Sequence, residues 1–113
     1  MKVYISGKIG EEVLSEVTRQ KFANAESFLR ERNFDVFTPT ASGLGELAEK
    51  LAKEKGTDFY TEIMILDLEQ LIHCDAIYML RDWQSSPGAI REFMEAHRLR
   101  LDVIFDIECS ITR

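Results

Sequence analysis

The chain has 113 residues, of which 45% are apolar and 30% charged, and this composition fits one globular domain over residues 1–113. Its 14 basic and 20 acidic residues give a net charge of −6, which disfavours a binding face for long nucleic acid. The longest uncharged apolar stretch, residues 76–80, is far shorter than the ~20 residues of a membrane span, and Cys74 and Cys109 match no metal-ligand spacing, so we expect a soluble, cytoplasmic protein with free thiols.

Strand and helix patterns alternate along the first half of the chain. Residues 2–6 form a short β-prone run that ends at Gly7 and predict a first strand. Residues 11–32 predict an amphipathic helix, because apolar or small residues recur every three or four positions, at Leu14, Thr18, Phe22, Ala25 and Leu29. Residues 34–37 predict a second strand, which stops at Thr38-Pro39.

The same alternation continues in the second half. Residues 46–55 predict a helix on the surface, and residues 58–73 predict a third helix. The apolar run at residues 75–80 predicts a strand buried on both faces, and residues 101–105 predict a fourth strand of the same type. Ser86-Pro87 is typical of a helix start, since a capping hydroxyl precedes a proline. Residues 107–111 are a candidate fifth strand.

This order of elements predicts an α/β fold with a parallel sheet of four or five strands. Parallel strands need crossover connections, and helices of this spacing would cover both faces of the sheet. Ligands of such sheets bind beyond the carboxyl ends of the strands. We therefore look for functional residues in the loops and helix starts that follow the strands.

Asp67 is the first candidate. At 100° per residue it lies near the centre of an apolar arc on the third helix, an arc formed by Tyr60, Ile63, Met64 and Leu71. A carboxylate there is either a structural group that caps a loop or pairs with an arginine, or a group that faces a cleft.

Glu92 is the second candidate. The inner face of the fourth helix is predicted to consist of Ala89, Ile90, Phe93, Ala96 and His97. Glu92 falls on the flank of that face, near the ligand end of the sheet. It is either a glutamate favoured by the helix dipole or a functional group, and the dipole effect fades beyond the first turn. Two carboxylates beside one cleft would suit cleavage of a glycosidic bond.

Other residues are ambiguous. The loop Gly7-Lys8-Ile9-Gly10 is similar in outline to a phosphate-binding turn, but it also fits a plain turn from strand to helix. Trp83 could stack on a base or pack against its own loop. Ser86 is most simply a helix cap, and His73 and His97 have no metal-ligand partners at a usable spacing, so no metal site is predicted.

Several motifs together resemble the nucleoside 2-deoxyribosyltransferase superfamily, in particular its small bacterial and phage branch. The resemblance covers Met1 to about Phe105, and its motifs are Tyr4-Ile5-Ser6-Gly7, then Asp67-Leu68 with Leu71 and Cys74-Asp75-Ala76, then Trp83 with Ser86-x-Gly88-Ala89-x-x-Glu92. Three residues at two places in the chain depart from the branch pattern. Arg81-Asp82 stands where Pro-Gly is common, and Lys8 stands where a Pro is common. Residues 46–55 have no counterpart that aligns.

The resemblance implies a flavodoxin-like, Rossmann-like three-layer sandwich that acts without metal or cofactor, as a homodimer or a higher homo-oligomer. The implied reaction is hydrolysis or deoxyribosyl transfer at the N-glycosidic bond of a 2′-deoxynucleoside or its 5′-monophosphate. Glu92 matches the nucleophile and Asp67 the carboxylate that assists departure of the base. The implied substrate-binding residues are Tyr4, Gly7, Lys8, Trp83, Ser86 and Gly88.

Two alternatives from other classes remain. One is a nucleotide-binding module that keeps the fold without turnover. The other is an electron-transfer or signalling domain on the same scaffold, because fold alone does not determine function.

Overall fold

The computed structural model describes residues 1–9 and 15–106. Its strands and helices follow one another in the predicted order, as β1 (Lys2–Ser6), α1 (Glu16–Arg30), β2 (Asp35–Phe37), α2 (Leu44–Lys55), α3 (Phe59–Leu71), β3 (Ala76–Met79), α4 (Pro87–Arg98) and β4 (Asp102–Phe105). Four sequence predictions lie outside the described residues: Gly10 of the first loop, the helix start at residues 11–14, the candidate strand at residues 107–111 and the thiol of Cys109.

The described strands form one parallel sheet in the order β2-β1-β3-β4. This is the strand order of a flavodoxin-like sheet, and helices cover both of its faces. The protein therefore has the predicted three-layer α/β fold. None of the described helices is long and apolar enough to cross a membrane.

Alternation along β1 divides the core into two layers. Val3 and Ile5 face α1, where they pack with Phe22 and Leu29. Tyr4 points to the opposite face and packs in the layer that lies under α3 and α4. Because side chains two apart on a strand share a face, Ser6 lies on the α4 side together with Tyr4. Both residues are almost completely buried.

The inner strand β3 and the outer strand β4 differ in burial. Every residue of β3 is buried, as predicted for a strand between two neighbours and two helix layers. The prediction that β4 is equally buried is wrong, because Asp102 and Phe105 are exposed. Within the described chain β4 ends the strand order and has one neighbour only.

Helices α2 and α3 pack against each other as a hairpin. α2 lies between Gly43 and Gly56, whose φ angles of 77° and 73° fall in the left-handed region that glycine tolerates. Its buried residues are Ala48 and Ala52, whose small side chains let the two helices approach closely. Most of the remaining surface of α2 is exposed, as the sequence predicts.

Candidate functional site

A cavity of about 760 Å³ lies beyond the carboxyl ends of the strands, where sheets of this kind bind ligands, and Pro39 and Thr40, which follow β2, are part of its lining. The loop after β1, the start of α2, one face of α3 and the first turns of α4 form its walls. Asp67 and Glu92 both line it. The structure thus brings together the two carboxylates that the sequence singled out.

Glu92 is held by two hydroxyl groups from β1. Ser6 Oγ donates to Glu92 Oε1 at 2.6 Å, and the Tyr4 hydroxyl donates a short hydrogen bond to Oε2. Both donors reach the same carboxylate because they lie two residues apart on one face of the strand. Burial raises the pKa of Glu92, the hydrogen bonds from Ser6 and Tyr4 partly offset this rise, and the resulting pKa is about 7.

The flank position predicted for Glu92 is therefore wrong. Glu92 is 6% exposed and faces the sheet, whereas Ile90 and His97, which the sequence placed on the inner face, are exposed. A helical wheel assigns the inner face to apolar residues. It does not register that two hydroxyls on the neighbouring strand can satisfy a buried carboxylate.

Tyr4 serves as a fixed donor. Its ring stacks on Phe37 of β2 with centroids 5.2 Å apart, which orients the hydroxyl toward α4. Burial, together with the negative charge of Glu92, raises the pKa of the phenol well above its usual range. The hydroxyl therefore keeps its proton. Tyr4 contacts Glu92 rather than the open cavity.

Asp67 has a different environment. It is 5% exposed, and its Oδ1 atom has no hydrogen-bond partner among the described residues. Burial and, as a smaller effect, the nearby charge of Glu92 together raise the pKa of Asp67 to about 8. A buried polar atom without a partner is uncommon, and here it lines a cavity large enough for a ligand. The interpretation of Asp67 as a group that faces a cleft fits this placement.

The two carboxyl groups thus have different surroundings, although burial raises the pKa of both. Asp67 lacks donors and favours the protonated form, while Glu92 has two donors that stabilise the ionised form. Pairs of titratable groups whose surroundings separate their pKa values are typical of acid–base sites. The arrangement can supply a proton from Asp67 and a carboxylate from Glu92 to one bound molecule.

The ion pair between Lys21 and Asp82 holds the loop after β1 in place through the backbone of Lys8. Asp82 Oδ1 accepts the Lys8 N–H at 3.0 Å, and Lys21 Nζ contacts both Asp82 Oδ2 at 2.5 Å and the Lys8 carbonyl at 2.7 Å. Gly7 packs so closely on Leu80 that an added Cβ would come within 2.7 Å of its side chain. Gly7 therefore lines the cavity at a position that accommodates no side chain without movement.

Besides Tyr4, two more of the predicted binding residues, Lys8 and Trp83, do not reach the cavity. The Lys8 side chain is exposed and is not part of the described lining. Trp83 lies in a short 3₁₀ helix and packs on Phe93 and Phe105, with ring centroids 4.8 and 6.1 Å away. Of the two interpretations of Trp83, the structure supports packing rather than stacking on a base, because its ring is committed to aromatic neighbours.

Ser86 and Gly88 lie at the start of α4 and line the cavity. Ser86 Oγ accepts the Ala89 N–H at 3.1 Å, which confirms the predicted helix cap. A Cβ at Gly88 would stand 3.4 Å from Met64 Sδ, so a methyl group there would narrow the space between α3 and α4 without a severe clash.

The sequence interpretation missed the outer wall of the site. Glu46 and Glu49 of α2, Asp58 before α3 and Arg19 of α1 all line the cavity. Solvent-exposed charges on amphipathic helices carry no local signal that separates a cavity mouth from bulk surface. Three of these residues, Glu46, Glu49 and Asp58, line the cavity because the α2–α3 hairpin packs beside the sheet, and this packing is not visible in the local sequence. In residues 1–9 and 15–106, no group of three or more His, Cys, Asp and Glu side chains could hold a metal ion.

Residues 1–105 match a family described as "Domain of unknown function (DUF4406)", and the chain belongs to this family. The match covers every described strand and helix, together with both carboxylates of the cavity. No curated protein matches the chain.

Proposed function

We propose that the protein cleaves the N-glycosidic bond of a 2′-deoxynucleoside or its 5′-monophosphate, by hydrolysis or by transfer of the deoxyribosyl group. The sequence resemblance to nucleoside 2-deoxyribosyltransferases suggests this chemistry. The observation that carries it is the pairing of two buried carboxyl groups with different surroundings on one cavity.

In this proposal Glu92 is the nucleophile. Its carboxylate attacks the anomeric carbon as the bond from that carbon to the base nitrogen breaks, and a covalent deoxyribosyl ester forms. The hydrogen bonds from Tyr4 and Ser6 support this role because they orient both oxygens before substrate arrives. Water or a second base then attacks the same anomeric carbon, and the bond from that carbon to the Glu92 oxygen breaks and releases the carboxylate.

Asp67 is the proton donor to the leaving base. Its raised pKa supports this role, since a group with a pKa of about 8 is mostly protonated at neutral pH. Proton transfer from Asp67 lets the base leave as a neutral molecule. After transfer, the ionised Asp67 can accept a proton from the incoming water or base, so the site returns to its starting state.

The direct test is incubation with each 2′-deoxynucleoside and each 5′-monophosphate, with and without a second free base, followed by chromatography of the bases. Release of free base without an acceptor indicates hydrolysis, and formation of a new nucleoside indicates transfer. If no base is released or exchanged under any condition, the proposal is wrong and a non-catalytic binding module becomes the better account.

The proposal extends to assembly and location. The resemblance supports a homodimer or a higher homo-oligomer, and the cysteine usage supports a cytoplasmic location. Light scattering of the purified protein tests the first statement, since a mass of 13.0 kDa corresponds to one chain. Cell fractionation tests the second.

A further inference from the structure

The mouth of the candidate cavity is acidic. Three exposed carboxylates line it, Glu46 and Glu49 on α2 and Asp58 at the start of α3, and we call them the acidic rim. Hydrogen bonds from Thr61 lower the pKa of Asp58, which keeps that group ionised. Lys53 lies 3.3 Å from Glu49, but this pair is solvent-exposed and offsets little of the charge.

Positive groups are scarce at the same place. Arg19 is the one cationic residue among the described residues that line the cavity. The Lys8 side chain lies elsewhere, and its backbone groups are engaged by Asp82 and Lys21. The lining therefore contains five carboxyl groups, those of the acidic rim with Asp67 and Glu92, against a single guanidinium.

The start of α4 has few donors left for an anion. Pro87 has no N–H, the Ala89 N–H is bonded to Ser86 Oγ, and the Ile90 N–H is bonded to the Ser86 carbonyl. Gly88 alone remains in this first turn. A phosphate site at a helix N-terminus normally uses several free N–H groups together.

We propose that Glu46 and Glu49 are specificity residues that repel a 5′-phosphate, so that the substrate is the uncharged 2′-deoxynucleoside. This inference rests on the proposed function. A phosphomonoester carries a charge between about −1.5 and −2 at neutral pH, and each rim carboxylate raises the free energy of bringing it to the cavity. At about 10 Å in water, one carboxylate disfavours such a dianion roughly threefold at low salt.

The test compares kcat/KM for each deoxynucleoside with that for its 5′-monophosphate at low and at high ionic strength. We expect the nucleoside to be preferred at low salt and the preference to shrink as salt screens the rim. The double variant Glu46→Gln/Glu49→Gln should raise the ratio of monophosphate to nucleoside kcat/KM by roughly three- to tenfold at low salt. Glu54→Gln is the control for each single change, Glu46→Gln and Glu49→Gln, because Glu54 is an exposed residue of α2 outside the described lining and its replacement also removes one charge.

Two results would overturn the inference. One is a wild-type preference for the monophosphate that Arg19→Gln removes, since Arg19 would then bind the phosphate. The other is an effect of each single change that equals that of Glu54→Gln. If nothing is turned over, calorimetric titration with the same ligand pairs separates the two proposals. Tighter binding of the nucleoside would support the acidic rim although the proposed reaction had failed, and equal or absent binding would contradict it.

Discussion

Ser6 Oγ and Glu92 Oε1 lie 2.6 Å apart, and this hydrogen bond connects the end of β1 to α4 across 86 positions of the chain. The Tyr4 hydroxyl approaches the other oxygen of the same carboxylate from the same strand face. The orientation of Glu92 is therefore fixed by two buried residues of β1. A carboxylate held in this way needs little rearrangement when a substrate binds.

Glu92→Gln should abolish base release. An amide keeps the size of the carboxylate but is a very poor nucleophile, so we expect a loss of at least about a thousandfold in turnover, measured by chromatography of released base. Retention of more than a tenth of the activity would exclude Glu92 as the nucleophile. Because Glu92 is buried, the variant should also lose stability by about 1–3 kcal/mol, since the amide nitrogen cannot accept a hydrogen bond from Tyr4 or Ser6. Thermal unfolding measures this cost.

Asp67→Asn should slow the reaction in proportion to how much the leaving base needs a proton. For an ordinary purine deoxynucleoside we expect a loss of about 10²- to 10⁴-fold. A substrate whose base leaves without protonation, such as 7-methyl-2′-deoxyguanosine, should lose much less. Glu92→Gln is the control, because it should impair both substrates alike. Equal losses for both substrates in Asp67→Asn would show that Asp67 is not the acid.

The stability of the protein should fall as pH rises through the neutral range because of Asp67 and Glu92. Their folded pKa values, about 8 and about 7, lie above those of an unfolded chain. The folded state therefore binds more protons than the unfolded state. The stabilisation that these two groups contribute is fully present below about pH 4 and is lost as the pH rises toward 8. Asp67→Asn should become more stable relative to wild type by up to ~1.4 kcal/mol per pH unit between pH 5 and pH 8.

Urea unfolding at several pH values measures this difference. The comparison with Asp67→Asn removes the contribution of groups such as Asp82, whose pKa is lowered by Lys21 and whose effect has the opposite sign. A difference between wild type and variant that does not change with pH would contradict the assigned pKa of Asp67.

Tyr4→Phe should move the acidic limb of the pH–rate profile to higher pH. The variant keeps the ring that stacks on Phe37 but removes the hydroxyl that favours ionised Glu92. Loss of a hydrogen bond worth about 1 kcal/mol corresponds to a rise of somewhat less than one pKa unit in Glu92. Ser6→Ala should produce a shift in the same direction. A fall in rate with no change in the profile would mean that the hydroxyl does not tune Glu92.

The spacing of apolar residues and the positions of caps, glycines and prolines predicted the architecture, because they depend on interactions between residues close together in the sequence. Ser86-Pro87 begins α4 with the predicted cap, and the uninterrupted apolar run of β3 is buried on both sides. Asp67 was recognisable because a carboxylate on an apolar arc conflicts with its neighbours. Such conflicts are visible in sequence.

The parts that could not be predicted depend on contacts between distant segments. Trp83 packs on aromatic rings of α4 and β4. Glu92 can be buried because two hydroxyl groups of β1 donate hydrogen bonds to its carboxylate. Glu62 is a third example. It is buried, and Thr57 and Lys55 donate to it at 2.7 and 3.2 Å, although no sequence pattern distinguishes it from the exposed glutamates.

The contact between Lys8 and Asp82 joins two of the three residues at which the chain departs from the pattern it resembles. A proline at position 8 would have no N–H to donate, and a glycine at position 82 would have no carboxylate to accept one or to pair with Lys21. A change at one position alone would leave either the N–H of residue 8 or the Oδ1 atom of Asp82 without this hydrogen-bond partner. In related sequences, residues 8 and 82 should therefore covary, with an acidic residue at 82 wherever 8 is not proline.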